Sequence, residues 1–95
     1  MHFMAHVTFV PDPAIPALVP AERARVTELA RQGTLQALYL AADNAQGWLV
    51  LRCASQAEVK QTLASLPLHP YMRVDVSPLH PDEPLPPVDP SAAAP

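Results

Sequence analysis

Three features of this 95-residue sequence predict an α+β fold, in which a four-stranded antiparallel sheet carries two helices on one face. Stretches that alternate apolar and polar residues flank stretches with apolar residues every three or four positions, in the order strand, helix, strand, strand, helix, strand. The turn-forming run Asp43-Asn44-Ala45-Gln46-Gly47 joins the two middle strands as a hairpin. A hydrophobic content of 49% is enough for one small core, and so for one domain over residues 1–79.

The first strand covers 2–10, with Phe3, Ala5, Val7 and Phe9 on one face and His2, Met4, His6 and Thr8 on the other. Pro11, Pro13 and Pro16 stop it, because proline gives no ladder donor, and make a stiff connection as far as Val19. Pro20 then suits the first turn of a helix, Glu22 complements the positive helix end, and Val26, Leu29 and Ala30 share one face. Gly33 ends that helix.

The second strand, over 34–42, is apolar on both sides: Leu35, Ala37 and Tyr39 oppose Gln36, Leu38 and Leu40. Such a pattern predicts cover on both faces. The third strand runs over 48–52 after the turn. Ser55 with Glu58 forms a capping box, and Val59, Leu63 and Leu66 trace the stripe of a second helix up to Pro67. The fourth strand covers 71–76, with Met72, Val74 and Val76 opposite Tyr71, Arg73 and Asp75. Beyond it the chain becomes a Pro-rich tail over 80–95, expected to be extended.

Two helices on one face leave the other face of the sheet bare. Domains of this size bury only about 60–65% of their unfolded surface, so a second copy is the expected cover. Six Lys and Arg against nine Asp and Glu, without clustering, make nucleic acid an unsuitable partner. Cys53 is the single cysteine, which fits a reducing compartment. The N-terminus has neither the basic start nor the apolar run of a signal peptide, so a cytoplasmic protein with no membrane partner is expected. The four histidines lack ligand-pair spacing and the two glycines make no phosphate loop, so neither a metal nor a cofactor is expected.

From Glu28 to Leu79 the sequence resembles the muconolactone delta-isomerase family. The resemblance rests on Leu29-Ala30-Arg31-Gln32-Gly33-Thr34, on aromatics at Tyr39 and Trp48, and above all on Leu66-Pro67-Leu68-His69-Pro70-Tyr71-Met72. It implies the ferredoxin-like βαββαβ fold, association through the sheets as a dimeric α/β barrel and then larger rings, and a cofactor-free shift of a double bond in an unsaturated lactone during aromatic catabolism. Around Gln36, Ala37 and Leu40 the family carries basic or imidazole groups, and on the first strand it carries lysines where this chain has His6 and Thr8.

Moving a double bond needs a base near a carbon acid, donors for the dienolate oxygen, and shelter from water. His6 is the candidate catalytic base, since an imidazole can carry a proton in either direction; its alternative is a hydrogen-bonded packing imidazole. Tyr39, Trp48 and Tyr71 are candidates to line a pocket for a flat ring, or else to pack the core and a subunit interface. His69 is a candidate pocket wall in the loop before the fourth strand. Glu22 and Arg25 occupy the rim near the first helix, where an arginine can bind a carboxylate, and Arg73 can hold an anion or pair with Asp75. Two further classes stay open beside the isomerase: a non-catalytic ligand-binding or assembly module, and a cofactor-free monooxygenase on the same scaffold.

Overall fold

The structure, a computed structural model, describes residues 1–80. The tail expected over 80–95 lies, from 81 onward, outside them. The elements are β1 (His2–Phe9), α1 (Ile15–Arg31), β2 (Leu35–Leu40), β3 (Gln46–Arg52), α2 (Gln56–Ala64) and β4 (Met72–Pro78). The sheet order is β2-β3-β1-β4, with every neighbouring pair antiparallel. This is the predicted ferredoxin-like architecture.

Alternation along β1 does what the sequence requires. Phe3, Ala5 and Val7 are buried beneath the helices with Leu49 and Leu51 of β3, Leu29 of α1, and Val59 and Leu63 of α2. Ser55 Oγ accepts from the Glu58 N–H at 3.2 Å, and Glu58 Oε2 accepts from the Ala54 N–H at 3.1 Å, so the start of α2 is capped reciprocally.

Helix α1 begins at Ile15, not at Pro20, and this corrects the expected stiff connection over 11–19. The Asp12 carboxylate accepts from the Ala14 N–H at 2.8 Å, and its carbonyl accepts from the Ile15 N–H at 3.1 Å. That turn, with Pro13 in its second place, starts the helix early. Pro16 then falls in the first turn, where a missing N–H does no harm, and Pro20 lies inside the helix.

Strand β2 also departs from expectation. A bulge between Leu35 and Ala37 sets Leu35 opposite Leu51 and Ala37 opposite Val50. The phase changes by one residue at Gln36, so Leu38 and Leu40 face the helices with Leu35, while Ala37 and Tyr39 face away. Within one chain, only the face of Leu38 and Leu40 is turned to the helices, and that of Ala37 and Tyr39 is bare. β2 is an edge strand on which Tyr39 is 65% and Leu40 54% exposed.

Candidate active site

Between α1 and the sheet lies a cleft of about 560 Å³. Val7 and Phe9 of β1 and Gly47 and Leu49 of β3 form its floor, and Leu38 and Leu40 of β2 form one wall. The opposite end is closed by Leu66, Leu68 and Met72. Helix α1 supplies the roof through Ile15, Val19, Glu22 and Val26, whose spacing of four, three and four residues keeps them on the stripe that also buries Leu29. Glu22 is thus a carboxylate on an apolar stripe.

Its environment is specific. Glu22 Oε1 accepts a hydrogen bond of 2.9 Å from the Leu68 N–H. The Leu66–Tyr71 segment folds back through bonds from His69 N–H to the Leu66 carbonyl and from Tyr71 N–H to the Leu68 carbonyl, while Leu68 N–H is turned toward α1. Burial pushes the Glu22 carboxyl up from the ordinary glutamate value, and the Leu68 bond offsets part of that rise. A carboxylate set in a cleft with its pKa raised is suited to accept and return a proton. Arg23 at the rim and Asn44 from the hairpin complete the polar lining.

The other predicted residues are distributed elsewhere. On the open face of the sheet, Tyr39, Trp48, His6 and Asp75 lie opposite one another in a row across all four strands. His6 stacks on Trp48 with ring centroids 5.4 Å apart, and its Nε2 lies 2.7 Å from Gln46 Oε1. Arg73 is next to this row, opposite Thr8. These groups come together, but on the face away from the cleft. Arg25 donates to Ser65 Oγ at 3.0 Å and ties α1 to the end of α2. His69 and Tyr71 lie in the 3-10 turn that leads into β4, half-buried, and the Tyr71 carbonyl accepts from the Val10 N–H.

Of the expected set, only Glu22 lines the cleft. Arg23, Asn44 and Leu38 were not singled out as site residues from the sequence, and Leu40 was singled out only as an apolar residue where the family carries a basic or imidazole group. Arg23 lies four residues after Val19 and three before Val26, a spacing that places it beside the stripe once the helix is known to begin at Ile15. Among the described residues no group of three His, Cys, Asp or Glu is arranged to hold a metal ion, and no helix is long and apolar enough to cross a membrane.

Comparison with known proteins agrees with this architecture. The sequence model of the muconolactone delta-isomerase family matches residues 1–83. The crystal structure of muconolactone isomerase superposes with a TM-score of 0.64 at 32% identity, covering 87% of this chain and 94% of that one. The 5-chloro-2-hydroxyhydroquinone dehydrochlorinase of Burkholderia phenoliruptrix AC1100, complexed with 2,5-dihydroxybenzoquinone, gives 0.63 at 16% identity, covering 84% of this chain and 94% of that one. An antibiotic biosynthesis monooxygenase gives 0.53 at 15% identity, over 85% of this chain and all of the other. The last two likenesses are of fold alone. A search of curated proteins finds no match. The family match over most of the chain and the 32% identity to an isomerase of the same fold make this protein a member of the muconolactone delta-isomerase family.

Proposed function

We propose that the chain is a cofactor-free isomerase that moves a double bond in a small unsaturated lactone carboxylate, with Glu22 carrying the proton. The observation behind this is a half-buried carboxylate, held by one backbone N–H, in a largely apolar cleft.

In the proposed step the Glu22 carboxylate takes the proton from the γ carbon of the lactone ring. The C–H electron pair becomes the new ring double bond, the old one moves to the carbonyl carbon, and the carbonyl oxygen carries the negative charge. Glu22 then returns the proton to the α carbon, and the charge on oxygen falls back into the carbonyl. Atoms and electrons balance within the substrate and Glu22 alone. Arg23 holds the substrate carboxylate, the Asn44 amide is the donor nearest to hand for the oxyanion, and the apolar lining keeps bulk water from the intermediate.

The test is proton NMR of muconolactone in deuterated buffer with the wild type, Glu22→Gln and His6→Ala. Exchange and isomerisation by the wild type and His6→Ala, with loss in Glu22→Gln by about 10²-fold or more, is the expected result. Loss in His6→Ala alone would move the base to the open face of the sheet. No exchange by the wild type would favour a ligand-binding module.

We further infer that the chain is a homo-oligomer in the cytoplasm. Met4, Ala37, Tyr39, Trp48 and Val50 make an apolar band on the open sheet face, which a second copy covers by sheet-to-sheet packing. The single thiol, Cys53, is buried and free, as suits a reducing compartment.

A further inference from the structure

The cleft is larger and more apolar than a proton shift in one small ring requires. Leu38 is 38% and Leu40 54% exposed although both face the helix side of the sheet. Both lie on the edge strand and line the cleft. Glu22 is anchored at the other end, by the amide of Leu68, four residues before β4 begins. Strands β2 and β4 are opposite edges of a four-stranded sheet, three strand spacings or on the order of 14 Å apart. A cleft of about 560 Å³ lined by both Glu22 and the leucine wall holds more than a single five-membered ring.

Charge narrows the class further. Arg23 is the one cation in the lining, it makes no hydrogen bond or ion pair among the described residues, and Glu22 is the one acid. The cleft therefore matches a monoanion with a hydrocarbon extension. On the isomerase reading above, we infer that the preferred substrate is a lactone carboxylate with an alkyl substituent that rests on Leu38 and Leu40, its carboxylate on Arg23. Gly47 packs against that wall: a Cβ there would stand 3.1 Å from Leu40 Cδ2 and 3.4 Å from the Tyr39 carbonyl oxygen, so even alanine crowds the cleft floor beside Leu40.

The experiment compares kcat/KM for muconolactones that carry hydrogen, methyl or propyl on the ring carbon between the two that exchange protons. Each methylene that enters the cleft adds about fourfold, so propyl exceeds hydrogen by at least about tenfold. Leu40→Ala and Gly47→Ala both lower the propyl-to-hydrogen ratio, the first by removing the wall and the second by crowding it. A ratio at or below one with measurable turnover overturns the inference and leaves the isomerase reading intact. If no lactone turns over, the isomerase reading fails, and titration with the saturated lactone carboxylates decides the inference alone. Tighter binding of the propyl compound, weakened by Leu40→Ala and by Arg23→Gln but insensitive to Arg23 for the methyl ester, supports it. Equal or absent binding overturns it.

Discussion

Glu22 carries the clearest residue-scale consequences. Its folded pKa is above that of the unfolded chain, so the folded state holds the proton more tightly in the window between the two values. Its contribution to stability is therefore complete below the unfolded pKa and declines as pH rises through the folded one. Glu22→Gln keeps an acceptor for the Leu68 N–H and removes the buried charge. Its thermal midpoint at neutral pH is expected to equal or exceed that of the wild type, while the difference closes in acid; calorimetry across pH checks this. In the same window kcat/KM of the wild type should fall on the acid side at a pH above the ordinary glutamate value, since the base must be ionised. Cys53 behaves oppositely in reactivity: it is 4% exposed, and burial first, then the Glu58 charge, raise its pKa. Labelling by a thiol reagent should follow global unfolding rather than proceed in the folded protein, as stopped-flow absorbance with added denaturant will show.

Among the elements, α2 was fully legible because its signals are local: a capping box and an apolar stripe that ends in proline. The start of α1 was not, since three prolines between Pro11 and Pro16 read as breakers, and the rescue comes from a backbone turn at Asp12. The faces of β2 were illegible for a different reason. A bulge changes phase without leaving any mark in the period of the apolar residues, and it is what puts Leu38 and Leu40 in the cleft. The site itself was illegible for a third reason: alternation could place His6 on a face of β1 but could not say that Glu22 would meet the Leu68 amide across 46 positions. Pro20 invites a test at this scale. It denies the Pro16 carbonyl its helical partner, so Pro20→Ala should stabilise the protein by about 1–3 kcal/mol in urea melts, less the entropy that proline removes from the unfolded chain. Ser55→Ala should destabilise by about 1 kcal/mol through loss of the α2 cap.

At the scale of the whole molecule, the sheet has two unlike faces. One carries the helices over the core and holds the cleft beneath α1, and the other presents the row from Tyr39 to Asp75. Self-association through that row predicts that Val50→Lys, opposite Met4 and Ala37, lowers the mass found by sedimentation velocity to that of one chain. Trp48 is the single tryptophan and lies at the centre of the row, so its emission should shift to the red on dilution of the wild type and be red at all concentrations in the variant. A single-chain mass for the wild type at micromolar concentration would remove the sheet face from consideration as an interface.

The bond between Glu22 and Leu68 also bears on how such a protein is recognised. The stretch from Leu66 to Met72 is the most distinctive in the chain, yet what it gives to Glu22 is one main-chain amide. It works as a mould: the bend aims that amide at Glu22, while Leu66, Leu68 and Met72 close one end of the cleft with hydrocarbon. Two relatives can therefore share this stretch and differ in every polar side chain of the cleft, so kinship read from it says little about which molecule is bound.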